Sequence, residues 1–174
     1  MNLEESIMAL SRGENQALES IYLEMKNAVF ALCFSITGNY SNSQDLMHDT
    51  FIKVKKYILY YKPNSNPKAW ILTIAKNTCY NYLKSRKKEL LTDFEMDIED
   101  HKAFKIHDET GVISLAKKTL KKTELQIVLL HTIGDIKFKD IAKILTVNFA
   151  TVRWKYNVAI KKIQKAYEKE EQDE

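Results

Sequence analysis

Glycine, proline and cysteine are scarce in this chain: four, two and two among 174 residues. So few turn-forming residues exclude a turn-rich all-β fold and favour helices. No apolar run approaches the roughly 20 residues that cross a bilayer as a helix, so membrane insertion is not expected. The opening MNLEESIMALSRGE carries acids early and no basic n-region, and a secretory signal is not expected. Cys33 and Cys79 stand alone, each on the apolar side of a helical pattern. That suits two small buried hydrophobes in a reducing cytoplasm better than a disulfide. His48, His101, His107 and His131 lack partners at metal-ligand spacing, and no catalytic pair or phosphate loop appears. Neither an enzyme, nor a cofactor, nor a small-molecule substrate is expected.

Charge is present, and unevenly placed. The net value is only +4, yet residues 1–92 carry +4, residues 93–111 carry −5 and residues 112–174 carry +5. Two basic blocks flank an acidic bridge. Within the last block the acids gather at the tail, which leaves residues 137–165 more basic still, a usual footprint of nucleic-acid binding.

Periodicity predicts an all-α chain. A short amphipathic helix over 2–12 ends at Gly13, and a second runs from about Asn15 to Thr37, with Gly38 as its natural stop. Ser41 and Gln44 have the spacing of a capping box opening a third helix over Asp45–Tyr61. Its buried side is Leu46, Met47, Phe51, Val54 and Ile58; Asp45, His48, Asp49, Ile52, Lys53 and Lys56 face outward. After a polar loop, Pro67 suits the first turn of a fourth helix capped by Asn66. Trp70, Ile71, Ala75, Cys79, Tyr82 and Leu83 form its apolar stripe. Opposite them run Thr73, Lys76, Asn77, Tyr80, Asn81 and Lys84, then Arg86, Lys87 and Lys88. Hydroxyls, amides, an aromatic and cations on one face suit unpaired bases beside phosphates. A solvated face with a basic end that complements the helix dipole is the plainer alternative.

Residues 89–111 have no sustained period and read as an acidic linker. Helices are predicted again over 112–120 and 121–133. Then FKDIAKILTVNFATVRWKYNVAIKKIQKAY reads as a helix-turn-helix. Phe138, Ile141, Ala142 and Leu145 bury its first helix; Thr146, Val147 and Asn148 turn the chain. Val152, Tyr156, Ala159, Ile160 and Ile163 bury its second. Phe149, Ala150, Thr151, Arg153, Trp154, Lys155 and Asn157 remain at the end that enters a major groove in such motifs. Lys161, Lys162 and Lys165 would neutralise phosphates. An αα-hairpin in a bundle is the alternative.

With both blocks read, the chain resembles the bacterial sigma-70 factors of the short extracytoplasmic-function (ECF) type. SQDLMHDTFIKVKKY and KAWILTIAKNTCYNYLKSRKK are similar to the family's region two, and Leu120–Leu130 followed by FKDIAKILTVNFATVRWKYNVAIKKI to its region four. The resemblance implies a two-domain factor: residues 1–88 bind polymerase and open the minus-ten element, 89–111 link, and 112–174 read the minus-thirty-five element. Asp45, Leu46, His48, Asp49, Ile52 and Lys53 would meet the β′ coiled coil of core RNA polymerase; the β flap is the other expected contact. Lys62, Asn64, Asn66, Lys68, Trp70, Thr73, Lys76, Asn77, Tyr80, Asn81 and Lys84 would take the unpaired minus-ten strand. Phe149, Ala150, Thr151, Arg153, Trp154, Lys155, Asn157 and Lys161 would read promoter duplex. An anti-sigma factor is a partner common in the family, and no residue here demonstrates one. Lys121 stands where the family usually has proline, Thr146 where it has a turn glycine. The competing readings are an autonomous helix-turn-helix regulator whose first bundle senses or dimerises, and an adaptor bundle that touches no nucleic acid.

Overall fold

The computed structural model describes residues 2–92 and 112–173, and among them it is all-α. Most of the expected linker, residues 93–111, lies outside the described residues. The helices are α1 (Leu3–Ser11), α2 (Ala17–Thr37), α3 (Tyr40–Lys56), α4 (Pro67–Thr92), α5 (Val112–Thr119), α6 (Lys122–Thr132), α7 (Phe138–Leu145) and α8 (Phe149–Asp173).

Local chemistry explains most boundaries. Asn2 accepts the Glu5 N–H at 2.9 Å while Glu5 accepts the Asn2 N–H at 2.8 Å, a reciprocal cap on α1. Gly38 closes α2 in the left-handed region, φ 66°, and donates its N–H to the Phe34 carbonyl at 2.8 Å. The cap of α3 is Asn39, not the expected Ser41–Gln44 box. Asn39 is extended, and its side chain accepts the Asn42 N–H at 2.9 Å, so the helix begins at once after the α2 stop.

The third helix also ends earlier than its apolar pattern suggests. After Lys56 the chain tightens into a 3-10 turn over Ile58–Tyr60. A period of three puts Ile58 and Tyr61 on one side, where both are buried. Leu59 and Tyr60 are thereby thrown outward, 79% and 76% exposed, the most exposed of the large hydrophobic side chains described.

In the first block α2 is central, with α1, α3 and α4 packed around it. In the second, α5, α6 and α7 pack against α8. The blocks are not separate cores. Helix α6 lies on α2 and α7 lies on α4. One buried cluster runs from Leu3, Ile21 and Leu72 through to Ile127, Ile141 and Val152. Another joins Ala31 and Phe34 of α2 to Leu125, Leu129 and Ala159. Gly134 sits where the blocks meet: a Cβ there would lie 2.7 Å from the Leu130 carbonyl and 3.1 Å from Ala28 Cα. Lys117 donates to the Gly38 carbonyl across the same junction.

Cys33 and Cys79 are fully buried and free. The Cys79 side chain, then burial, hold the Cys33 thiol well above its ordinary range. These are packing residues, as expected from the sequence.

Candidate nucleic-acid interface

The face of α4 is set by its entry. Asn66 caps the helix, its Oδ1 accepting the Ala69 N–H at 2.9 Å, and Pro67 takes the first helical position. The loop before it is braced from two sides. Tyr61, buried, donates its hydroxyl to the Ser65 carbonyl at 3.3 Å and meets Trp70 edge-on at 5.2 Å between ring centres. Burial raises the Tyr61 pKa, so the phenol stays a donor at neutral pH. On the other side the Asn64 N–H donates to Glu4 Oε1 at 2.6 Å, and Asn64 holds φ 62°. Asparagine tolerates that left-handed turn better than most residues.

From this frame Lys62 and Asn64 project into solvent, as do Thr73, Asn77, Tyr80, Asn81 and Lys84 along α4. Asn66, Lys68, Trp70 and Lys76 are half-buried. Thr73 spends its hydroxyl on the Ala69 carbonyl at 2.8 Å. Three of the eleven residues are engaged by the second block: Asn66 Nδ2 donates to Asp140 at 2.6 Å, Lys76 Nζ donates to the Ile144 carbonyl at 2.8 Å, and Lys122 Nζ lies 5.3 Å from the centre of the Tyr80 ring.

On α3, Asp45, His48, Asp49 and Ile52 form an exposed strip, with Ile52 66% exposed. Lys53 turns inward to donate to Thr78 Oγ1 at 3.1 Å. Leu46 is buried in the core beneath this strip, as its place on the apolar side of the helix predicts.

In the helix-turn-helix, Thr146 adopts φ 56° and ψ 47°, and the Val147 N–H donates to the Ala142 carbonyl at 2.9 Å. Asn148 caps α8 through the Ala150 N–H at 2.8 Å. Val152 is fully buried where α7 and α8 meet. Phe149, Ala150, Arg153, Trp154, Asn157 and Lys161 face solvent, and Thr151 and Lys155 are half-buried. Lys155 Nζ lies 6.0 Å over the Trp154 ring. Aromatic, amide and cationic groups thus share one face at the start of α8, the composition that reads base edges and holds phosphates.

Lys162 is not available for phosphate, contrary to expectation. Its Nζ lies 2.7 and 2.9 Å from the two oxygens of Glu124, a buried carboxylate on α6. Glu124 also accepts the Lys121 N–H at 3.0 Å, a bond that a proline at 121 would remove. The sequence reading also missed Glu4, which braces the loop from sixty residues away, and the exposed pair Leu59 and Tyr60 beside it. The run YILYY before the loop was the available signal for that pair. Among the described residues no group of acids, histidines or cysteines could hold a metal, and no helix is long and apolar enough to cross a membrane.

Comparison with known proteins gives a consistent picture. The Sigma-70 region 2 family model matches residues 21–89. The chain is similar to the ECF RNA polymerase sigma factor SigW of Bacillus subtilis (strain 168), with 22% identity over 168 residues, 88% of this chain and 90% of that one. Its fold is similar to that of the sigma factor RpoE solved with the anti-sigma factor NepR from Bartonella quintana, at a TM-score of 0.66, 21% identity and coverage of 86% of this chain and 95% of that one. It is also similar to CnrH solved in complex with the cytosolic domain of CnrY, at a TM-score of 0.68, 15% identity and coverage of 95% and 96%.

Proposed function

We propose a division of labour among the faces described above, starting from the family: this chain belongs to the ECF-type sigma-70 factors and directs transcription initiation with RNA polymerase. It is not an enzyme, as the family has no catalytic activity. In the proposed division, α4 and its loop take the unpaired minus-ten strand. Asn77 and Asn81 offer amides to base edges, Tyr80 a stacking surface, and Lys62, Lys68, Lys76 and Lys84 cations to the backbone. The face of α8 carrying Arg153, Trp154, Lys155 and Asn157 reads the minus-thirty-five duplex. The α3 strip of Asp45, His48, Asp49 and Ile52 docks on the β′ coiled coil, the second block on the β flap, and the protein works in the cytoplasm. Residues 1–88 and 112–174 serve as the two functional domains.

The observation that carries this reading is the pairing of two unlike polar faces in one chain. One mixes amides, an aromatic and cations on a long helix with a braced loop; the other is the outward start of a helix-turn-helix. Single-stranded and duplex recognition need these two different surfaces. A sigma factor of similar fold has been solved with an anti-sigma factor, and a partner of that class is proposed here too.

Run-off transcription with purified core polymerase tests the proposal. Transcripts should start at a small set of promoters. Asn77→Ala and Tyr80→Ala should impair opening more than duplex docking, whereas Arg153→Ala should weaken duplex docking first. Equal losses in both assays for all three variants would contradict the division.

A further inference from the structure

Two large apolar side chains stand at the start of α8. Phe149 and Trp154 are 47% and 62% exposed, and Ala150 between them faces solvent as well. On a helix, residues four apart share a side, so Ala150 lies beside Trp154 and Phe149 beside Arg153, with Asn157 next along both rows. All five are exposed. A lone surface hydrophobe needs no explanation. An apolar cluster set beside an arginine and an amide, at the end that enters a major groove in such motifs, does. The cluster is firmly placed. Asn148 caps the helix through the Ala150 N–H, and Val152, on the inward side, is sealed against α7. Lys155 holds its ammonium 6.0 Å from the centre of the Trp154 ring, which restrains the indole while most of it stays open to solvent.

The floor of the major groove is lined by donors and acceptors, and its apolar feature is the 5-methyl group of thymine. An aromatic face pressed on a donor or acceptor leaves that group without its hydrogen bond, at a cost. Pressed on the methyl, it removes apolar surface of both partners from water. Arg153 and Asn157 carry the hydrogen-bonding groups that suit guanine and adenine, so the aromatic pair is free to meet a different base. We infer that Trp154, backed by Phe149, is a specificity-determining residue that packs against thymine, and that the duplex element read by α8 holds an A·T pair recognised through its methyl group. The inference rests on the reading of α8 given above and narrows it from a surface to a base. From Phe149 to Asn157 the helix rises about 12 Å, roughly the length of three or four base pairs. Methyl, guanine and adenine contacts therefore belong to neighbouring positions of one short element.

The test exchanges single methyl groups. Duplexes are selected from a randomised library by the full chain reconstituted with core polymerase. In the recovered upstream element each thymine is then replaced in turn by deoxyuridine, which lacks only the methyl, and docking is measured by mobility shift. At the thymine under Trp154 the exchange should weaken docking about fourfold, the worth of one buried methyl. In Trp154→Ala the same exchange should cost nothing, and in Phe149→Ala it should cost less than in the unaltered chain; the coupling between protein and base changes isolates the contact from any general loss of affinity. Circular dichroism establishes that both variants stay helical. Deoxyuridine tolerated at every upstream thymine, or equal sensitivity in the unaltered chain and in Trp154→Ala, overturns the inference; with docking and transcription intact, it leaves the sigma-factor reading standing. Failure of the unaltered chain to select any element or to direct transcription with core polymerase overturns that reading and this inference together.

Discussion

Glu124 is a buried acid that ties α6 to α8 through Lys162. Burial alone would raise its pKa, but the Lys162 bond, the Lys121 N–H and the charges of Lys162 and Lys155 outweigh burial and hold it below the ordinary carboxylate range. A depressed carboxyl contributes stability above its unfolded pKa and loses it as pH falls through the folded one. Acidification through the carboxylate range, towards the depressed folded value, should therefore destabilise the protein, and Glu124→Gln should flatten that part of a stability–pH profile measured by urea denaturation. Lys162→Ala leaves the carboxylate without its cation and should cost about 2 kcal/mol at neutral pH, the range of a hydrogen bond to a charged group. This pair also marks a limit of reading residues along the chain. Lys162 sits among lysines that look like phosphate ligands, and its partner lies 38 positions away on another helix. The same distance problem hid Glu4, whose bond to the Asn64 N–H spans 60 positions. Where partners are neighbours, as in the Asn66–Pro67 cap of α4, sequence sufficed.

At the scale of elements, Thr146 is the clearest strain. A β-branched residue at φ 56° is uncommon, because its Cβ crowds the following carbonyl. Thr146→Gly should raise stability by roughly 0.5–1 kcal/mol, the left-handed penalty less glycine's own entropy. A higher urea midpoint with unchanged slope would show it; a lower midpoint would mean that the threonine side chain contributes more than its strain costs. Helices α1, α2, α4 and the helix-turn-helix were legible from period and caps. The start of α3 was not, because Asn39 and Ser41 both offer caps and only the Gly38 stop decides between them. The end of α3 was hidden too: the switch to a period of three is driven by burying Ile58 and Tyr61 together, with no glycine or proline to announce it. On α7 the sequence reading chose Phe138, Ile141, Ala142 and Leu145 as one inward face. The structure buries Ile144 and Ile141 fully and leaves Phe138 and Leu145 half-buried. The reason is that α7 contacts α4 as well as α8, and a second apolar face cannot be distinguished from noise in eight residues.

For the whole molecule, a core that runs through both blocks implies that they unfold together. Denaturation followed by circular dichroism and by the reaction of Cys33 and Cys79 with a thiol reagent should give coincident transitions, since both thiols are sealed until α2 and α4 part. Two separated transitions would show instead that the blocks are independent. Ala28→Gln should itself split the transition, by severing the junction while leaving each block's own helices. The division of charge into two basic blocks was visible in the sequence, and it suggested two bodies on a tether. What it could not show is that Ala31 and Phe34, counted towards the first block, are covered by the second.

The chain contains two tryptophans, and their positions make it its own optical instrument. Trp154, 62% exposed at the start of α8, should emit red-shifted light and be quenched readily by iodide. Trp70, half-buried edge-on against Tyr61 at the foot of the loop, should emit further to the blue and resist quenching. One fluorophore stands at each proposed DNA surface, so duplex reading and strand capture can be told apart by colour in unlabelled protein.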